Sequence, residues 1–215
     1  QHAARALNRA GINADIIVAR GEQELDKPRR DKLATLCGVE QKNVISAPDV
    51  ASIYEIPLTL EDQDMGNKVL KRVAMRSRTT DLRPWKQFVA KIKNGEREVK
   101  IAVVGKYFGT GEFTLADSYV SVIEATKHAA WFHNAKPVLE WIDAEVYEKD
   151  GGKVKELKQY DGIIVPGGFG SRGVEGIIKA IQFAREEKIP YLGLCYGMQL
   201  ACIEFVRNVL KKPGA

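Results

Sequence analysis

The sequence has little of what several common protein designs require. It holds three cysteines in 215 residues, Cys37, Cys195 and Cys202, at unrelated spacings. An odd number so placed argues against a disulfide framework and against a zinc site, and it points to a reducing compartment, the cytoplasm. No apolar run approaches the roughly 20 residues that cross a bilayer, so no membrane span is expected. The first residues, Gln1-His2-Ala3-Ala4-Arg5, carry neither an initiator methionine nor the apolar stretch of a secretion signal; they read like the middle of a helix in a fragment. Histidine is limited to His2, His128 and His133.

What is present is enough for a real core, with 45% apolar and 28% charged residues. The net charge of +5 is unevenly placed, since residues 65–100 hold 11 Lys and Arg against 3 Asp and Glu. Such a stretch can mark a nucleic-acid contact, but stacking aromatics are sparse in it. A solvated helix and linker is the expectation, with no nucleic-acid partner.

Periodicity and punctuation predict a helix over residues 3–10 stopped by Gly11, a strand over 15–19 followed by Arg20, and a helix opened by Pro28 and ended by Gly38. A second strand covers 44–46, and Asp49 can cap the turn after it. Met65, Val69 and Val73 recur every fourth residue, predicting one helix over about 62–77 packed by that face. Residues 77–81 read as a hinge, and Trp85, Phe88, Val89 and Ile92 as one face of a short helix over 84–92. From Val99 strands and helices alternate: strand 100–105, helix 117–132, strand 137–142, a connection at 154–157, strand 162–165, helix 173–187, strand 189–194 and helix 200–206. This is an α/β pattern, two doubly wound parallel-sheet units joined by a basic helical linker, with ligands expected at the strand carboxyl ends. The boundaries expected are 1–77, a linker over 78–98, and 99–215.

The densest chemistry lies in Pro190-Tyr191-Leu192-Gly193-Leu194-Cys195-Tyr196-Gly197-Met198-Gln199. A lone cysteine between glycines, at a strand-to-helix corner, has the form of a nucleophile elbow with Cys in place of Ser. The turn holds the sulfur at a helix amino end, whose partial positive charge favours a thiolate. Cys37 and Cys202 are instead expected to be inert core residues. After the strand ending at Val165 comes Pro166-Gly167-Gly168-Phe169-Gly170-Ser171-Arg172-Gly173, four glycines in eight residues. Their backbone N–H groups could form an oxyanion hole for acyl transfer at Cys195. A phosphate loop competes, though no G-x-x-x-x-G-K-[ST] is found there. A nucleophilic cysteine needs a base. No histidine follows Cys195, so the base is expected beyond Ala215.

These residues resemble the CTP synthases. The run Pro166 to Gly170, then Arg172-Gly173-Val174-Glu175-Gly176, then Pro190 to Gln199 is similar to that family's glutaminase domain. Ile17-Val18-Ala19-Arg20, Arg30-Asp31-Lys32-Leu33, Val44-Ile45-Ser46 and the run Asp49 to Pro57 resemble the end of its synthetase domain. Lys100 to Tyr107, with Asp117-Ser118-Tyr119 and Ser121 to Ala125, resembles the start of the glutaminase domain and its first helix.

The resemblance implies glutamine-dependent, ATP-driven amination of UTP to CTP, with ammonia released in one domain and used in the other. It implies Cys195 as the nucleophile forming a glutamyl thioester, with Gly167, Gly168, Tyr196, Gly197, Met198 and Gln199 around the oxyanion and the glutamine. It implies Lys32 and Gln1 at the UTP or CTP site, and Arg20, Pro48, Asp49 and Val50 at the ATP site. Magnesium ligands and the triad His and Glu match no residue of this chain, so the polypeptide alone is expected to complete neither half-reaction. The family further implies a cytoplasmic homotetramer activated by GTP. Tyr196 stands where leucine is common, a change in pocket shape. Another class I glutamine amidotransferase, or a flavodoxin-like module with a structural cysteine, remain the alternatives.

Overall fold

The structure, a computed structural model, describes residues 2–77, 81–105, 109–110, 113–114 and 119–214. The chain forms two compact units, Gln1–Ala90 and Lys91–Ala215. In the first, α1 (His2–Arg9) precedes β1 (Ile17–Gly21), α2 (Lys27–Cys37) and β2 (Val44–Pro48). The α2 helix starts where sequence chemistry puts it: the Asp26 carboxylate accepts the Arg29 N–H at 2.8 Å, and Pro28 occupies the first turn. Strands β1 and β2 pair in parallel, with Ile17 opposite Val44 and Gly21 opposite Pro48. This register brings Arg20 and the Pro48-Asp49 turn to one edge. Strand β1 lies two residues later than periodicity predicts, because Val44 to Ser46 are the fully covered positions and β1 aligns on them.

Beyond β2 come α3 (Ile56–Glu61), α4 (Met65–Arg72) and α5 (Arg83–Lys93). The helix expected over 62–77 is therefore shorter, and Val69 and Val73 are 40% and 56% exposed. Its charged residues make the contacts instead: Lys68 reaches the Gln63 carbonyl and Arg72 pairs with Asp15 at 3.3 Å. Three aromatics, Tyr54, Trp85 and Phe88, form a cluster with ring centroids 5.2–6.1 Å apart, and the Trp85 indole donates to the Tyr54 carbonyl. The aromatics of the basic segment thus pack into the first unit rather than standing out to stack on bases. The hinge expected over 77–81 lies mostly at residues 78–80, outside the described residues.

The second unit is built on β3 (Arg97–Gly105), β6 (Ala135–Asp143), β7 (Gly162–Val165) and β8 (Tyr191–Gly193), all parallel and ordered β6-β3-β7-β8. Two short strands, β4 (Gly109–Thr110) and β5 (Phe113–Thr114), form a separate antiparallel pair. The helices are α6 (Val120–Phe132), α7 (Glu145–Lys149), α8 (Val174–Glu186) and α9 (Tyr196–Asn208), with a 3-10 segment over Gly151–Gln159. Chain order 2-1-3-4 across the sheet reverses between β3 and β7, which gives the doubly wound form and a crevice at the carboxyl ends. The two-residue period sorts the core: Ala102, Val104, Ile163 and Val165 join one cluster with Ile177, Ile181 and Leu200. Each of the valine, isoleucine and leucine side chains stabilises the fold by about 1.5–3 kcal/mol on burial.

Helices α3 and α7 and the length of the 3-10 segment were not expected from the pattern; each is too short to show a period. Helix α9 also starts four residues before the predicted Leu200, because the elbow residues themselves make its first turn. Cys37 is buried as expected, but Cys202 is exposed. The α9 positions that face inward are Gly197, Leu200 and Glu204, and Cys202 falls on the opposite side.

Candidate active site

The corner at Cys195 is assembled from β7, β8 and α9. Strand β8 ends at Gly193, the Leu194 N–H donates to the Val165 carbonyl at 2.9 Å, and α9 begins at Tyr196. Cys195 joins them with φ 52° and ψ −103°, a conformation that costs a residue with a side chain about 1–3 kcal/mol. Both flanking glycines are required by close approach. A Cβ on Gly193 would lie 2.6 Å from the Gly197 carbonyl carbon, and one on Gly197 would lie 2.2 Å from the Val165 oxygen. The result is an exposed thiol at the amino end of α9.

The glycine loop stands beside it. A methyl group on Gly167 would touch Cys195 Cβ at 3.7 Å. Among the described residues the Gly168 N–H donates to no other backbone group. Two tyrosines fasten the loop: Tyr119 donates to the Gly167 carbonyl at 3.1 Å and Tyr196 to the Gly170 carbonyl at 2.8 Å. Tyr196 therefore bridges the elbow helix and the loop, a contact that a leucine could not make. Tyr191 donates to the Gly197 carbonyl at 2.8 Å, and burial raises its phenol well above the ordinary range, keeping it a donor. Gly197 also donates its N–H to Leu194; buried and with both backbone groups engaged, it serves the approach of α9 to β7. Met198 and Gln199 are exposed on the first turn of α9.

No described histidine is delivered to this corner by the topology. Cys195 follows the carboxyl end of β8, whereas His133 lines a cavity of about 600 Å³ with Arg97, Ala135 and Pro137, at the amino ends of β3 and β6. His128 packs on Trp131, ring centroids 5.4 Å apart. His2 belongs to the first unit.

A second candidate site lies in the first unit. Arg20, Pro48, Asp49 and Val50 line one depression of about 280 Å³ with Ile53 and Thr59. The register of β1 on β2 brings the four expected residues together. Arg20 and Asp49 approach at 3.4 Å, both largely exposed, a pairing worth no more than ~1 kcal/mol and easily opened by a charged ligand. Lys32 is exposed on α2 and does not line this depression; Gln1 lies outside the described residues. The depression rests on a residue without a sequence signal. Gln63 accepts the Ser46 N–H at 2.8 Å and donates to the Ser46 and Thr59 carbonyls at 2.7 and 3.0 Å. Its carboxamide thus stands in for a neighbouring strand on the open side of β2. Among the described residues no group of three His, Cys, Asp or Glu could hold a metal ion.

Comparison with known proteins finds matches for both parts of the chain. Residues 1–75 match the family model for the CTP synthase N-terminus, and residues 114–214 that for class-I glutamine amidotransferase. The CTP synthase of Carboxydothermus hydrogenoformans is 48% identical over 209 residues, which are 97% of this chain and 38% of the relative. That of Pyrococcus abyssi is 46% identical over 215 residues, 100% of this chain and 39% of the relative. A solved structure, the Trypanosoma brucei CTPS glutaminase domain with bound acivicin, matches at 41% identity and a TM-score of 0.47, covering 52% of this chain and 42% of that one. This chain thus spans about two fifths of the length of the curated relatives it matches. Matched along nearly its whole length, with the models for both domains falling on successive parts of it, the chain belongs to the CTP synthase family.

Proposed function

We propose that this chain serves glutamine-dependent amination of UTP to CTP, as part of a longer CTP synthase. It would supply the end of the synthetase domain (1–77), a linker (78–98) and the first half of the glutaminase domain (99–215). The observation that carries this reading is the exposed Cys195 at φ 52° between two glycines that the backbone cannot replace, with Gly167 against it.

The Cys195 sulfur attacks the carboxamide carbon of glutamine, and the carbonyl oxygen becomes an oxyanion. The Gly168 N–H donates to that oxygen; one such donor contributes about 10²–10³ in rate. Collapse of the adduct expels ammonia, protonated by the triad histidine outside this chain, and leaves a glutamyl thioester. Water then hydrolyses the thioester to glutamate and restores the thiol. Tyr196, Met198 and Gln199 would line the glutamine pocket, and Gly197 would hold the wall in place.

In the synthetase domain ATP would activate the uracil carbonyl oxygen as a phosphate, which ammonia displaces. Arg20 with the Pro48-Asp49-Val50 turn is the proposed ATP contact, and Lys32 and Gln1 the UTP or CTP contacts. Magnesium would accompany the triphosphate, but the described residues offer no carboxylate cluster for it. GTP activation, a homotetramer and a cytoplasmic setting belong to the same proposal. No helix among the described residues is long and apolar enough to cross a membrane.

The test is Cys195→Ala in the full-length protein. Glutamine-dependent CTP formation should fall by about 10⁴-fold or more, while formation from free ammonia persists. Retention of glutamine use would show that Cys195 is not the nucleophile.

A further inference from the structure

Tyr119 makes a hydrogen bond that the chemistry above does not by itself explain. Its hydroxyl donates to the Gly167 carbonyl oxygen at 3.1 Å, across 48 residues of chain. That oxygen belongs to the peptide unit whose N–H is that of Gly168. A trans peptide is planar and carries its C=O and N–H on opposite sides. Holding the oxygen on Tyr119 therefore turns the Gly168 N–H away from the Tyr119 hydroxyl. A Gly-Gly peptide would otherwise rotate more freely than any other.

Three further observations agree. Gly167 faces Cys195, since a methyl group on it would meet Cys195 Cβ at 3.7 Å. The Gly168 N–H donates to no other backbone group among the described residues. The Tyr119 ring packs on Trp141 of β6, centroids 6.2 Å apart, so the hydroxyl is held by the sheet rather than by the loop. Two residues further along the loop, Tyr196 holds the Gly170 carbonyl at 2.8 Å.

We infer that Tyr119 is a positioning residue for glutamine hydrolysis: it fixes the Gly167–Gly168 peptide plane so that the Gly168 N–H meets the oxyanion formed at Cys195. It takes no part in proton transfer. The inference rests on the reading that Cys195 attacks the glutamine carboxamide.

Tyr119→Phe in the full-length enzyme keeps the ring on Trp141 and removes only the hydroxyl. Glutamine hydrolysis should lose about tenfold in kcat, a part of the 10²–10³ that a whole donor supplies, with KM for glutamine within about twofold. Two electrophiles separate positioning from folding. A chloroketone analogue of glutamine presents a carbonyl that becomes an oxyanion when the thiolate adds, and its inactivation rate should fall by the same factor of about ten. Iodoacetamide alkylates the thiolate by displacement at carbon with no oxyanion, and its rate should be unchanged. If both reagents slow equally, Tyr119 supports the elbow and not the oxyanion donor, and the assignment fails. It also fails if kcat and both rates match the parent. A parent enzyme that does not hydrolyse glutamine at all would refute the reading of Cys195 itself, and this inference with it.

Discussion

A single methyl group added at Gly197 probes the elbow most directly. In the folded chain a Cβ there would lie 2.2 Å from the Val165 oxygen and 2.9 Å from Val165 Cβ and Cγ1. Strand β7 and helix α9 must part until the shortest of these reaches at least 3.0 Å, the least that real Cβ atoms show. Neither side yields easily. The Val165 carbonyl already accepts the Leu194 N–H at 2.9 Å, and α9 is tied to α8 by Arg185 and Glu204. Overpacking of this kind costs ~1–3 kcal/mol, which lowers a midpoint by roughly 2–4 °C per kcal/mol for a cooperative unit of about 150–250 residues. The loss in chemistry should be larger, because a displacement of about 1 Å in a reacting group can cost ~10²-fold. Gly197→Ala in the full-length enzyme is therefore expected to release glutamate from glutamine about a hundredfold more slowly, while scanning calorimetry shows a drop of only several degrees. A variant that hydrolyses glutamine within about threefold of the parent would refute the argument that close packing of α9 on β7 sets the position of Cys195.

Two further predictions concern the supports of the sites. Gln63→Leu leaves the Ser46 N–H and carbonyl without the carboxamide that satisfies them, at a position 1% exposed. It should cost about 1–3 kcal/mol in urea unfolding and weaken ATP binding by calorimetry; an unchanged midpoint would show that β2 does not depend on it. The pair of Arg185 and Glu204 is asymmetric, with side chains 36% and 1% exposed. Arg185→Met leaves a buried carboxylate with Asn208 as its remaining side-chain donor among the described residues and should cost about 3 kcal/mol. Glu204→Gln leaves an arginine that water can reach and should cost about 1 kcal/mol. The reverse order in urea midpoints would contradict this.

The parts legible in the sequence are those whose cause is local. The run from Tyr191 to Gln199 names a strand, a tight corner and a helix within nine residues, because a glycine-flanked cysteine at such a junction leaves the backbone few other paths. The opening of α2 by Pro28 was equally local. The resemblance to the CTP synthases also rests on short runs of this kind, which is why it could be read before the fold. Local reading failed where partners are remote or elements are brief. Val69 and Val73 have helical spacing, yet the charges of α4 hold it in place. Cys202 was expected in the core and faces outward, because a helix period fixes relative direction and only packing against β7 and α8 fixes the absolute one.

By itself, then, the sequence determined the α/β pattern, the candidate nucleophile, the glycine loop and the family. Only the tertiary structure decided which groups surround them. The register of β1 on β2 gathers Arg20 with Asp49 across 29 positions, and Tyr119 meets Gly167 across 48. Gln63 reaches Ser46 across 17. None of these pairs leaves a mark in composition or spacing, because a hydrogen bond between distant residues depends on where two elements are packed. The shape of the Cys195 corner is local, whereas the direction of the N–H that would serve it is set by a tyrosine on another element.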